Sequence, residues 1–240
     1  MAAAKPVESL PLLRAGAETA AAAAFRRVHL PPQPRRIRAG SIRASPPSTS
    51  GGGSPDELPA ALLPNAARRR RRRDVCGFSL GVDLGEARTG VAVGRGITLP
   101  RPLTVLKLRG QKLELMLLDM AQQQEADELI VGLPVSADGS ETPQSNKVRS
   151  VVGRLAVQAA ERGLRVYLQD EHGTTIDALE FMISRGVKRF ARDVKSDAYS
   201  AMMILERYFS SSGQGAKIVL PKQQELQCKL LAKSRQDAEV

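Results

Sequence analysis

The stretch FSLGVDLGEARTGVAVG, residues 78–94, constrains the fold of this chain more than any other. Two short apolar runs, 78–84 and 89–93, flank a tight Gly-Glu-Ala-Arg connection, a pattern that predicts a β-hairpin. In the first run Phe78, Leu80 and Val82 alternate with Ser79, Gly81 and Asp83. Successive side chains of a strand point to opposite faces, so Asp83 projects away from the bulky apolar set. A carboxylate at the end of a core strand is costly to bury without a cation. Asp83 is therefore the first candidate functional residue.

The remainder from Val75 onward reads as a compact α/β domain. A third strand is expected over 99–106, so three strands precede any helix. A helix over 112–124 follows, with Leu113, Met116, Leu117, Met120 and Ala121 on one stripe. A short strand over 128–131 runs into Gly132-Leu133-Pro134, and a polar loop over 135–142 carries the turn pair Asp138-Gly139. Val148, Val151, Val152, Leu155, Ala156 and Ala159 mark a second amphipathic helix, and 165–169 another strand. Thr174 is expected to cap a third helix with Asp177 as its capping-box partner and a stripe of Ile176, Leu179, Met182 and Ile183. A polar stretch over 186–195 leads to a last helix from Ser196, striped by Ala198, Ala201, Met202, Leu205 and Phe209. Residues 213–240 hold one possible short strand, 217–220, and then a charged extension. This order predicts a mixed sheet of five strands covered by helices.

The net charge of +11 suggests a polyanionic partner, but its distribution does not. Residues 1–73 hold fourteen Lys/Arg and only four Asp/Glu, leaving twenty-two and twenty-one for residues 74–240. The basic excess thus belongs to the leader and proves no nucleic-acid partner for the folded part. Residues 1–45 are rich in Ala, Ser, Pro and Arg and poor in acids, the pattern of an organelle transit peptide. The Ile42-Arg43-Ala44-Ser45 stretch resembles the end of a chloroplast transit peptide, which makes the stroma the expected location ahead of the mitochondrion. Residues 46–74 are expected to be a disordered linker ending in six consecutive arginines, 68–73, a block that repels itself unless a polyanion neutralises it. The folded domain is placed at 75–212, with an expectation that a chain starting near Val75 folds alone. Cys76 and Cys228 lack the spacing of a disulfide framework or a zinc site. No run of about 18 apolar residues appears, so no membrane association is expected.

The acidic residues fall at strand and helix ends. Asp83 closes the first strand, Asp170-Glu171 the last strand before the capped helix, and Asp197 opens the final helix. By alternation Asp170 shares a face with Val166 and Leu168 and Glu171 with Tyr167 and Gln169, so only one of this pair is expected to point toward Asp83. Strand-end carboxylates converging with one at a helix start suit hard cations, because Mg²⁺ takes a few carboxylates together with water and phosphate oxygens. Two such ions about 3.5–4 Å apart activate a water and stabilise the leaving oxygen of a phosphodiester.

Four segments, in order over residues 77–210, resemble the YqgF-type ribonuclease H-like family of pre-16S rRNA nucleases and Holliday junction resolvases. Gly81-Val82-Asp83-Leu84-Gly85 through Arg88 to Gly90-Val91-Ala92-Val93 is similar to its opening motif. Val131-Gly132-Leu133-Pro134 with Asp138-Gly139 resembles its central motif, with Gln144 where the family usually has Gln. Asp170-Glu171-His172-Gly173-Thr174-Thr175 resembles Asp-Glu-Arg-x-Thr-Thr, and Asp197 with Ser200-Ala201 resembles Asp-x-x-Ala-Ala, one Ala being Ser here. The resemblance implies a ribonuclease H-like α/β fold, a mixed five-stranded sheet with helices on both faces, and a nuclease hydrolysing phosphodiesters with Mg²⁺ or Mn²⁺ at a two-metal site. It implies Asp83, Glu171 and Asp197 as catalytic residues and metal ligands. The family's Arg after Asp-Glu is His172 here, and an imidazole does not fork a phosphate as a guanidinium does. Arg88, Lys147, Arg149, His172 and Thr174 are the candidate nucleic-acid contacts. Aromatic residues make up 3% of the chain, which argues against base stacking as the dominant mode.

The expected partner is structured RNA such as a ribosomal precursor, with branched DNA the other target of the same chemistry. An actin-like ATPase or sugar kinase would need a second Asp-Gly-Gly-type phosphate loop, which this chain lacks. A catalytically idle relative that binds RNA or protein is the third reading, which the His172 departure keeps open.

Overall fold

The computed structural model describes residues 58–71, 77–136 and 138–239; the leader expected over 1–45 lies outside them. The strands are β1 (Phe78–Leu84), β2 (Thr89–Gly94), β3 (Arg101–Leu106), β4 (Ala126–Leu133), β5 (Arg165–Asp170) and β6 (Lys217–Ile218). The helices are α1 (Asn65–Arg71), α2 (Gly110–Gln123), α3 (Pro143–Glu161), α4 (Thr174–Ser184), α5 (Arg189–Ser210) and α6 (Gln224–Glu239). One sheet runs in the order β3-β2-β1-β4-β5-β6. The first three strands form an antiparallel meander, β1, β4 and β5 are parallel, and β6 closes the edge antiparallel to β5. The two-residue β6 falls within the possible strand read at 217–220 and, pairing through Tyr167 and Leu168, adds a sixth strand to the five-stranded sheet expected.

Alternation decides which layer each strand residue joins. Leu80, Val82, Leu129, Val131, Val166 and Leu168 pack with Leu117 and Leu118 of α2 and Val152 and Leu155 of α3. The opposite face presents Ala92, Ile130 and Tyr167 to Ala178 of α4 and to Ala201, Met202 and Leu205 of α5. Helices therefore cover both faces, and Asp83 lies on the α5 side, as its register requires.

Several boundaries differ from the expected ones. α5 begins at Arg189, seven residues before Ser196, so most of the polar stretch 186–195 is helical; its residues alternate charge with apolar side chains and hide the period. Thr174 is the first helical residue of α4, and the cap position is Gly173 at φ 76°, with no side-chain cap. The left-handed backbone there suits glycine. The capping box sits instead on α3, where Thr142 and Ser145 exchange bonds. On α4 Ala178 and Met182 are the buried apolar residues, with Phe181 packed half-buried against the same cluster, while Ile176, Leu179 and Ile183 are exposed. The C-terminal extension forms α6, whose Leu226 and Leu230 bury against Leu62 and Ala160.

The largest difference concerns the linker expected over 46–74. Its described part is a 3-10 turn, Ala60–Leu62, followed by α1, and both are tied into the sheet. The Asn65 backbone N–H donates to Glu128 Oε2 (2.9 Å) and the Ala66 N–H to the Tyr208 hydroxyl (3.0 Å). Ser79 and Tyr208 donate to Glu128 Oε1 at 2.7 and 2.5 Å. Arg165 donates to Leu63 O (2.9 Å) and Asn65 Oδ1 (2.6 Å), and Tyr167 to Leu62 O (2.9 Å). A fully buried carboxylate at the start of β4 thus takes one of its three hydrogen-bond donors from a residue that composition marks as linker. The four arginines Arg68–Arg71 continue α1 and are not an extended block.

Candidate active site

Asp83 sits at the C-terminal end of β1, beside Gly90 of β2. β4 supplies Gly132 one strand over, and the chain leaving β5 supplies Glu171, whose N–H donates to Leu133 O at 3.2 Å. Asp197 enters from α5, on the same face. Two glycines allow this approach. A Cβ on Gly90 would stand 1.8 Å from the Asp197 carbonyl oxygen, and one on Gly132 would stand 1.8 Å from Glu171 Oε2 and 2.6 Å from Ile204 Cδ1. The helix and the Glu171 carboxylate therefore lie directly on bare backbone.

The electrostatics follow from that crowding. Burial, with the Asp197 charge adding to it, pushes the Asp83 carboxyl up to about 7, and a hydrogen bond from Ser200 offsets part of the rise. Burial and the charges of Asp83 and Asp170 push Glu171 up to about 8. Glu171 Oε2 is shielded from solvent and has no hydrogen-bond partner. Asp170 points elsewhere, is exposed and accepts the His172 N–H (2.8 Å). Only one member of the Asp170-Glu171 pair faces Asp83, and it is Glu171.

The five residues expected to contact nucleic acid have separate fates. Arg88 is spent on the acidic cluster: its Nε lies 2.8 Å from Asp197 Oδ2 and its Nη1 donates to Asp193 O (3.0 Å). Lys147 pairs with Glu86 (3.0 Å) across the other face of the sheet, lining a groove of about 450 Å³ with Gln144, Leu84 and Arg109. Arg149 pairs with Glu141 and does not join the acidic cluster. Thr174 is buried and donates to Glu171 O (2.9 Å), so it holds the loop backbone and is not presented to a strand. His172 is exposed, its Nδ1 3.3 Å from Val135 O, while Arg207 of α5 donates to the His172 carbonyl (2.7 Å) and to Asp177 (3.2 Å). Sequence reasoning missed Ser200, read only as a replaced Ala, though three residues after Asp197 puts it on the same helix face.

A divalent cation would answer the chemistry of this set, since Asp83 and Glu171 are held near one another and one Glu171 oxygen is unpartnered. As the side chains stand, Asp197 is paired with Arg88, and no three His, Cys, Asp or Glu residues among those described are arranged to hold one ion.

The RuvX family model, described as Holliday junction resolvase, matches residues 77–211. The chain belongs to the RuvX family. This RuvX chain is 34% identical over 139 residues to a protein of Cronobacter sakazakii named "Putative pre-16S rRNA nuclease", covering 57% of this chain and 99% of that one. A Salmonella dublin protein of the same name is 36% identical over 132 residues, 54% of this chain and 94% of the relative. Among solved structures, Thermus thermophilus RuvC matches with 20% identity and a TM-score of 0.39 over 59% of this chain and 99% of that chain. The RuvX chain is a nuclease of mixed α/β architecture, a six-stranded sheet with helices on both faces. Residues 58–71 and α6 lie outside the span that the family model matches.

The two glycines make separable predictions. Gly132→Ala is expected to fold, because the atoms it meets are the ends of flexible side chains, but to lose more than about 100-fold in cleavage as Glu171 is displaced; second-shell losses alone reach that size. Gly90→Ala meets the α5 backbone and is expected to lower the melting temperature as well. Thermal melts beside a cleavage assay distinguish the two.

Proposed function

We propose that this RuvX chain is a divalent-metal-dependent endonuclease that trims a precursor ribosomal RNA during ribosome assembly in an organelle, the chloroplast stroma ahead of the mitochondrion. The observation that carries it is the juxtaposition of Asp83, Glu171 and Asp197 at one end of β1, with Asp83 and Glu171 pushed up by burial and by neighbouring carboxylates. Mg²⁺ or Mn²⁺ is the suited cofactor, with Asp83, Glu171 and Asp197 as the holding residues. Such an ion supplies an activated water and stabilisation of the leaving oxygen. The chain's own part is to keep these carboxylates poised. Thr174 pins the Glu171 carbonyl, Ser200 orients Asp83, and Arg88 stands in for positive charge at Asp197. The names of the bacterial relatives favour RNA; the description of the family model favours a branched DNA junction as the second reading. The acid-poor composition of residues 1–45 supports the organelle.

The test offers the full chain a precursor ribosomal RNA and a four-way DNA junction with Mg²⁺ or Mn²⁺, beside Glu171→Gln. Metal-dependent cutting of the RNA, reduced more than about 100-fold in the variant, is expected. Cutting of the junction alone moves the substrate to DNA, and equal rates in the variant overturn the site.

A further inference from the structure

Four of the basic side chains described above are engaged: Arg88 with Asp197, Lys147 with Glu86, Arg149 with Glu141 and Arg207 with Asp177. A different set lacks acidic partners, though Arg185 lies over the Phe181 ring at 5.2 Å. Arg185, Lys188, Arg189, Arg192 and Lys195, at the α4–α5 turn and along the first two turns of α5, form no ion pair among the described residues. Only Asp193 interrupts them. Residues 74–240 are nearly neutral as a whole, so this is a local concentration of charge. In its midst Phe190 is 83% exposed, the most exposed large apolar side chain of the described residues. A ring so placed adds almost nothing to the core.

The direction of α5 gives this patch its meaning. Gly90, the β2 partner of Asp83, packs on Asp197, whereas Gly81 packs on Ala201 and Leu205. α5 therefore runs antiparallel to β1, and the residues before Asp197 overhang the end of β1 that carries Asp83. At about 100° per residue, Phe190 stands within roughly 20° of Asp197 around the helix and about 10 Å further along it. That distance matches about three nucleotides at a 3.4 Å step. Arg88 bridges the Asp193 carbonyl to the Asp197 carboxylate, tying the overhang to the acidic cluster. By the same count Arg189 stands about 100° from the ring and Arg192 about 160° from it around the helix, with Lys188 at the N-cap.

We propose that Phe190, with Lys188, Arg189 and Arg192, grips a single-stranded nucleic-acid segment adjoining the cleaved phosphodiester, the ring stacking on a base and the cations holding backbone phosphates. The assignment rests on the nuclease reading above and adds a stacking contact that the low aromatic content of the chain argued against. Stacking on an aromatic ring tolerates any base, and Arg and Lys on phosphates carry no sequence code, so the grip selects an unpaired strand and not a sequence. Exposed Ile176, Leu179 and Ile183 on α4 lack flanking cations of this density and are left out of it.

The experiment uses the full chain in EDTA, which prevents cutting, and two fluorescein-labelled hairpins of one sequence, RNA and DNA, each with a single-stranded tail carrying 2-aminopurine. Phe190→Ala is expected to weaken binding about tenfold and to abolish quenching of 2-aminopurine, with melting temperature unchanged. Phe190→Trp should restore both, and Phe190→Leu neither. Arg189→Ala with Arg192→Ala should lower the slope of log affinity against log salt by about 1.4, the share of two phosphate contacts on a single strand. Loss on the RNA alone or on both probes sustains the grip and says which backbone it takes. Unchanged affinity and slope in variants of a wild type that binds and cuts overturn this inference alone. Rescue by Phe190→Leu replaces base stacking by an apolar protein contact and overturns it too. A wild type that neither binds nor cuts either nucleic acid overturns the nuclease reading with it.

Discussion

Asp83→Asn is expected to abolish metal-dependent cleavage while making the metal-free protein more stable at pH 8. Most substitutions in a folded domain destabilise, so the paired result separates a charge held for chemistry from one held for structure. The Asp83 carboxyl is pushed up to about 7 by burial and by Asp197, and Glu171 to about 8 by burial and by Asp83 and Asp170. In both, the folded protein holds a proton that the unfolded chain releases near its ordinary carboxylate value. Their contribution to stability is fully present below that value and is lost as pH rises through about 7 to 8. The metal-free wild type should therefore melt at progressively lower temperature from about pH 5 to pH 8. The Asn variant lacks the Asp83 share and relieves Glu171 of a neighbouring charge. It should match the wild type near pH 4 and melt a few degrees higher at pH 8. Millimolar Mg²⁺ should raise the wild-type melting temperature at pH 8 more than at pH 6, because binding to the folded state alone stabilises it, and should barely move the variant. Melting curves of equal slope against pH for the two proteins would show that Asp83 is not the strained group.

The hairpin, the five long strands and the face on which Asp83 lies were legible because period-two alternation is local: each residue's layer follows from its neighbours. Glu171 was legible as one of two for the same reason, and the Gly132 backbone over which it lies completes the choice. Residues whose role depends on a distant partner were not legible. Arg88 read as a free cation because its partner is more than a hundred positions away. Thr174 read as a cap and a ligand contact, yet the left-handed Gly173 takes the cap position and leaves its hydroxyl to the Glu171 carbonyl. The first turns of α5 read as polar loop since an overhanging helix has no buried stripe to betray it. Likewise Ile176, Leu179 and Ile183 are spaced as a core stripe on a helix whose packed side is set by α5.

A chain beginning at Val75, which the apolar periodicity marks as sufficient, is expected to melt about 10 °C or more below one beginning at Leu58. The cause is Glu128, 0% exposed at the start of β4. Its Oε2 accepts the Asn65 N–H, and Arg165, its ion-pair partner at 3.7 Å, is itself held by Leu63 O and Asn65 Oδ1. Removing residues 58–71 takes away those bonds, the acceptor for Tyr167 and the buried Leu62 on which α6 rests. Leaving a buried ionic group short of partners costs about 3–5 kcal/mol, a large part of the roughly 5–15 kcal/mol that holds a domain together. At about 2–4 °C per kcal/mol for a chain of this size, the shift is readily measured by calorimetry. Asn65→Ala in the longer chain removes the side-chain bonds but keeps the backbone donor to Glu128, and should fall between the two. Tyr208→Phe, which deletes the hydroxyl shared by Glu128 and the Ala66 N–H, should uncouple α1 from the helix that carries Asp197. A Val75 chain that melts within a few degrees of the longer one would show that water or rearranged donors satisfy Glu128, and that the segment before β1 is an ornament of the fold. The expected loss, in contrast, would make residues 58–71 part of the folding unit, with a start some twenty residues before the span the family model matches.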